Sequence, residues 1–145
     1  MRTNEKPKAV LVTGVIGDDV HVTGIRILEH ALREAGFKVV SLGIQVSQEE
    51  FVKAAIETKA DAILVSSLGG HAKLLSEGLR DKCTEAGLGN IRLYAGGMLA
   101  IGEPWEDTLK AFKELGFDRI YPPITLPGPV ITDLEADLVK KERKK

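Results

Sequence analysis

Asp19, His21 and Gly24 stand in register in the run Asp19-Val20-His21-Val22-Thr23-Gly24, directly after an apolar, strand-like stretch at residues 9–16. An imidazole just beyond a buried strand can reach outward to a transition metal, for which its ring nitrogen is a suitable donor. A carboxylate two residues earlier can take the other ring N–H, fixing the tautomer and making the ligating nitrogen more basic. The glycine three residues later lets the backbone turn tightly or pass close to a bulky ligand. A lone surface histidine in a polar loop is ordinarily just that, but Asp, His and Gly in register after a first strand are less ordinary. Of the other histidines, His30 beside Glu29 is expected on the solvated face of a helix. His71 opens another helical stretch and reads as a loop histidine that could approach a ligand.

The elements that must position this run alternate along the chain. Strand candidates lie at residues 9–16, 38–42, 62–66, 91–95 and 119–121. Three are dense in Val, Ile and Leu without polar alternation, the mark of strands covered on both faces. Between them, Ile25, Leu28, Leu32 and Ala35 make the apolar stripe of a first helix that Gly36 ends. Ser47-Gln48-Glu49-Glu50 is a capping box opening a second. A third is expected over 74–86. A fourth starts at Pro104, with Trp105, Leu109 and Phe112 inward, and a fifth runs over 131–141. Five strands alternating with five helices predict an α/β, doubly wound parallel sheet of flavodoxin-like (Rossmann-like) order 2-1-3-4-5. Ligands in such sheets bind past the carboxyl ends of strands 1 and 3, where the winding reverses. The loop at 17–24 and the loop Ser66-Ser67-Leu68-Gly69-Gly70 both fall on that edge.

Length and composition bound the rest. The 145 residues are expected to form a single domain over 1–145, and 43% hydrophobic with 28% charged residues fits a globular protein with a real core. A net charge of −1 gives no general reason to expect nucleic acid or an anionic membrane as partner. The basic end, Lys140-Lys141-Glu142-Arg143-Lys144-Lys145, reads as a solvated helix terminus. Cys83 is the one cysteine, so no internal disulfide is possible. Its helical spacing with Leu75 and Leu79 makes it a small core residue. No apolar run approaches the ~20 residues of a membrane span, and no signal core follows the first residues, so a soluble, cytoplasmic protein is expected.

Asp19-x-His21-x-x-Gly24, with Ser66-Ser67-Leu68, Gly96-Gly97 and the late Thr125, resembles the motif of cobalamin-binding domains. Gly14-Val15-Ile16-Gly17, Ala55-Ile56-Glu57-Thr58-Lys59-Ala60-Asp61, Val65-Ser66-Ser67-Leu68 and Gly116-Phe117-Asp118-Arg119 are similar to the small, sigma-type subunits of glutamate mutases, over about residues 10–138. The resemblance implies that His21 replaces the cofactor's own benzimidazole beneath cobalt, with Asp19 as its partner. It also implies that the displaced base and nucleotide tail enter a slot between sheet and helices. The cofactor-contacting set carried over is Asp18, Asp19, Val20, His21, Val22, Gly24, Ser66, Ser67, Leu68, Gly96, Gly97, Met98, Leu99, Ala100, Ile101, Gly102 and Thr125. Physically, a planar heterocycle entering an apolar slot needs small residues along the walls and one polar group for its nitrogen.

The implied reaction is an adenosylcobalamin-dependent, radical carbon-skeleton isomerisation, L-glutamate to threo-3-methylaspartate. A large, barrel-type subunit would enclose a small amino-acid substrate at the subunit interface, since a (β/α)₈ barrel of ~250 residues does not fit in 145. No catalytic residue is expected in this chain itself, and no turnover without the partner. Four positions depart from the family pattern: Asp18 for a serine, Met98 for an asparagine, His71 within a replaced loop segment, and Ile124 for a glycine. All are expected on upper loops, and they loosen the tie to glutamate as substrate. The alternatives are the cobalamin module of a methylmalonyl-CoA-type mutase, a corrinoid methyl carrier, or a cofactor-dependent regulator. A phosphoacceptor receiver would need an aspartate ending strand 3 and a lysine ending strand 5; Ser66 and Tyr121-Pro122-Pro123 stand there.

Overall fold

Five parallel strands, β1 (Val10–Val15), β2 (Lys38–Ser41), β3 (Ala62–Ser67), β4 (Arg92–Gly97) and β5 (Arg119–Tyr121), hydrogen-bond in the order β2-β1-β3-β4-β5. This is the order expected from the alternation of apolar runs and helical stripes. The computed structural model describes residues 6–17, 23–67, 72–99, 102–123 and 125–139. Successive side chains of a strand point to opposite faces, so each strand feeds two cores. Val12, Ile63, Val65, Leu93, Ala95 and Ile120 pack under α2 (Gln48–Thr58), α3 (Ala72–Ser76), α4 (Leu79–Glu85) and α5 (Trp105–Glu114). Leu11, Leu64 and Tyr94 pack under α1 (Thr23–Glu34) and α6 (Pro127–Leu134), which continues as a π-helical turn, Glu135–Val139.

Local chemistry accounts for the entries and breaks. At the start of α2 the Ser47 hydroxyl accepts from the Glu50 N–H at 3.1 Å, and the Ser47 N–H donates to Glu50 Oε1 at 2.8 Å, the expected capping box. This fixes α2 so that Phe51 lies on β1 at Gly14, where a Cβ would come within 3.2 Å of its ring and 3.0 Å of Val46. Cys83 is buried in the core, as its spacing with Leu79 predicts, and His30 is exposed.

Three boundaries and one inward residue differ from the sequence expectations. The single helix expected over 74–86 is two, α3 and α4, because Gly78 takes φ +84, a left-handed conformation that stops one helix and starts the next. Trp105 is not an inward residue. It is 38% exposed, and Thr108 is buried in that turn instead, donating its hydroxyl to Glu103. The last helix begins at Pro127 rather than 131, since proline is tolerated in a first turn that two prolines and a glycine had disguised. Ser66 and Ser67 belong to β3, and Gly96 and Gly97 to β4, so the expected loop after strand 3 starts later than at Ser66. Among the described residues no helix is long and apolar enough to cross a membrane.

Candidate functional site

On the α1/α6 side the two helices part over the carboxyl ends of β3 and β4, and a hollow of about 420 Å³ opens there. Its size falls in the usual range for small-molecule sites. Two rows of register partners floor it. Ser66, Gly96 and Tyr121 stand side by side across β3, β4 and β5, and Leu64 pairs with Tyr94 one step deeper. One wall is the first turns of α1, with Gly24, Ile25, Ile27 and Leu28. The other is Pro122, Pro123, Thr125, Leu126, Pro127 and Val130. A Cβ at Gly24 would meet nothing within 4 Å, and one at Gly96 nothing closer than Tyr121 Cβ at 3.7 Å. Both glycines leave space in the hollow rather than relieve a clash.

The polar groups around this hollow are mostly engaged with one another. The Tyr94 hydroxyl donates to Asp137, and the Tyr121 hydroxyl donates to Asp133 Oδ2 at 2.7 Å. Arg119 donates to Asp137 from Nε and Nη2, each at 2.9 Å, and its Nη1 lies 3.4 Å from Asp133 Oδ1. Burial first, and then the adjoining carboxylate, push both phenols well above the ordinary tyrosine range. The Arg119 hydrogen bonds hold the Asp137 carboxyl below its usual range, against the opposing effect of its burial. Tyr94 and Tyr121 therefore present ring carbon to the hollow, their centroids 5.9 Å apart and tilted by 54°. The Thr125 hydroxyl turns back to the Pro122 carbonyl at 2.7 Å.

Of the residues expected to touch a ligand, Gly24, Ser66, Gly96, Gly97 and Thr125 all line this hollow. Ser67 is buried and, one residue along β3 from Ser66, faces the opposite layer. Leu99 is buried in that opposite core, Met98 is 38% exposed, and Gly102 lies in the exposed turn before α5. Asp18, Asp19, Val20, His21, Val22, Leu68, Ala100 and Ile101 lie outside the described residues, as do His71 and Ile124. The flanks of the histidine run are described. The Ile16 N–H donates to the Ser66 carbonyl at 3.0 Å, and the chain re-enters at Thr23 in the first turn of α1. The segment carrying Asp19 and His21 thus departs beside Ser66 and returns at the wall of the hollow. Among the described residues no group of three or more His, Cys, Asp or Glu could hold a metal.

A family model described as the B12 binding domain matches residues 9–121. The glutamate mutase sigma subunit of Clostridium cochlearium is 53% identical over 132 residues, 90% of this chain and 96% of that protein. The glutamate mutase sigma subunit of Carboxydothermus hydrogenoformans is 54% identical over 129 residues, 88% of this chain and 94% of that protein. The chain belongs to the glutamate mutase sigma-subunit family. In fold it also matches the solved Methanosarcina barkeri monomethylamine corrinoid protein at TM-score 0.73, with 24% identity over 91% of this chain. The chain spans 60% of that structure's length.

The residues present fit part of the ligand that the family model names. A B12 nucleotide tail ends in a flat, largely apolar base, and the hollow offers apolar walls, two glycines without side chains, and the Ser66 hydroxyl. Sequence reasoning missed much of this lining: Tyr94, Tyr121, Ile25, Ile27, Leu28, Leu126 and Val130. Period-2 counting back from Gly96 would have reached Tyr94. The contribution of α6 was hidden by its proline-rich start. Also unforeseen is Glu29, 5% exposed in α1, which accepts a hydrogen bond from Thr13 Oγ1 on β1.

Proposed function

We propose that this chain is the cobalamin-binding subunit of an adenosylcobalamin-dependent glutamate mutase, acting with a large barrel-type subunit that binds the amino-acid substrate. The observation that carries the reading is the position of the hollow. It opens at the carboxyl edge of β3 and β4, beside the departure of the Asp19/His21 segment, in a chain with the fold and family of B12-binding domains. His21 would be the axial nitrogen ligand of cobalt, and Asp19 would take its other ring N–H. Gly24, Ser66, Gly96, Gly97 and Thr125 would surround the displaced base and tail. The cofactor supplies a radical through homolysis of its cobalt–carbon bond. This chain's own residues would hold it, His21 and Asp19 at the metal and Gly24, Ser66, Gly96, Gly97 and Thr125 around the tail, keeping that tail out of water.

The deciding experiment is electron paramagnetic resonance of the cobalt(II) form bound to chain labelled with ¹⁵N-histidine. Hyperfine coupling that changes with the label, and that disappears in His21→Ala but not in His71→Ala, is expected and would put His21 on the metal. Coupling to the benzimidazole nitrogen instead would remove the reading. In a second assay the chain alone should not isomerise glutamate, and should do so when a glutamate mutase large subunit is added. Turnover by the chain alone would contradict the assigned role.

A further inference from the structure

Leu75 stands directly over Gly17, the residue from which the Asp19/His21 segment leaves the sheet. A Cβ on Gly17 would come within 2.7 Å of Leu75 Cδ1 and 3.2 Å of Cδ2, so only a bare α-carbon fits beneath that side chain. Gly17 takes φ +77, and its N–H donates to the Val46 carbonyl at 3.0 Å. Backbone conformation, hydrogen bond and leucine cover together set the direction in which the chain leaves Gly17.

Leu75 in turn is held by Gln48. It belongs to α3, five residues long and too short to keep its place unaided. From the start of α2, Gln48 Nε2 donates to the Leu75 carbonyl at 2.6 Å and to the Glu77 carbonyl at 2.8 Å. These carbonyls lie where α3 stops and no further helical turn donates to them. Gln48 Oε1 is buried without a partner, so the amide is turned wholly toward the two carbonyls. The other tie of α3, Lys73 to Glu103 at 2.6 Å, is a partly exposed ion pair and contributes little.

We propose that Leu75 and Gln48 are positioning residues for the axial histidine: Leu75 pins the root of its segment at Gly17, and Gln48 pins Leu75. The inference rests on the reading of His21 as the cobalt ligand. Residues 18–22 join Gly17 to Thr23 at the head of α1. A short connection between two fixed ends samples far less space than one with a loose end, so less entropy is lost when it coordinates a metal. With Leu75 or Gln48 truncated, that ordering falls on the coordination step, and histidine ligation weakens about tenfold, the cost of fixing roughly one more residue. Neither side chain lines the tail hollow, so the effect reaches the metal through Gly17 and not through the tail.

The test uses cobinamide, which carries no lower base and so isolates histidine ligation. The full ¹⁵N-histidine-labelled chain and its Leu75→Ala, Gln48→Ala and Leu75→Met variants are titrated, and paramagnetic resonance of cobalt(II) reads the share bound to histidine nitrogen. The two alanine variants are expected to weaken histidine-ligated binding about tenfold. Leu75→Met keeps flexible carbon over Gly17 and should stay within about threefold of the parent. In the chain without corrinoid, amide exchange at Gly17 should speed up in both alanine variants, while exchange at Ile63, fully buried in β3, does not. Alanine variants that bind as the parent does would overturn the inference. So would a loss of binding with equal acceleration at Ile63, which reports loosening of the whole fold, or a Leu75→Met variant as weak as Leu75→Ala. A parent chain whose cobalt never couples to histidine nitrogen would instead bring down the reading of His21 as ligand, and the inference with it.

Discussion

Arg119 and Asp137 meet through two parallel hydrogen bonds, Nε to Oδ2 and Nη2 to Oδ1, both 2.9 Å. The pair joins the last strand to the π-helical turn and holds the carboxylate that receives the Tyr94 hydroxyl. Bidentate geometry of this kind gives direction as well as attraction. It fixes the α6 wall of the hollow to the floor beneath it. Asp137→Ala should therefore destabilise the fold by about 2 kcal/mol, by leaving a buried hydroxyl and a guanidinium edge unpaired. In a chain of this length that is a fall of roughly 5 °C in melting temperature, readable by calorimetry. Because the folded Asp137 carboxyl lies below its usual range, its contribution is fully present above the unfolded carboxylate value. It is lost as pH falls through the folded one. The gap between the variant and the parent should close in strong acid.

The same network sets an alkaline limit. Burial and the carboxylates raise both phenols in the folded state, so their contribution is present below the unfolded tyrosine value, about 10, and drains away as pH rises beyond it. Tyr94 and Tyr121 are the chain's two tyrosines. Tyrosinate absorbance should therefore appear together with loss of far-ultraviolet circular dichroism, in one transition. Ordinary titration of either phenol in folded protein would mean that the hydroxyl is not held as described.

The sheet was legible because its signal is dense. Runs such as Ala62-Ile63-Leu64-Val65 have no solvated face, and five of them alternating with helical stripes admit few topologies. The breaks were less legible. Gly78 and Pro127 each permit two readings, and only the surrounding packing chooses between them. The floor of the hollow was half legible. Glycine and serine at strand ends announce space and a lone hydroxyl, whereas tyrosine in a strand reads as core. That Tyr94 presents its ring to the hollow and its hydroxyl to Asp137 depends on a partner 43 residues away.

Asp19 and Asp18 can be separated in solution. If Asp19 accepts the second ring N–H of His21, Asp19→Asn should weaken cobalamin binding ~10–100-fold without lowering the melting temperature. Asp18→Asn should change it by less than about threefold, since a side chain three residues from the histidine has no need to point at its ring. Spectral titration of both variants makes the comparison. Equal losses would mean that only the negative charge of the segment matters.

Gly96 offers the sharpest test of where the tail goes. Its backbone is ordinary strand rather than left-handed, and a Cβ there would stand 3.7 Å from Tyr121 Cβ, a normal contact. Valine suits a strand, so Gly96→Val should fold with a melting temperature within about 3 °C of the parent. Its methyl groups would project from the floor row shared with Ser66, into the space a base would occupy. Cobalamin affinity should fall at least ~100-fold, as expected when a close-packed flat group loses its place to side-chain carbon. Cobinamide, which has no base or nucleotide, should bind the variant and the parent alike. Cobalamin binding that survives the substitution would put the tail elsewhere. A parallel loss of cobinamide would mean that valine distorts the sheet edge instead of filling the slot.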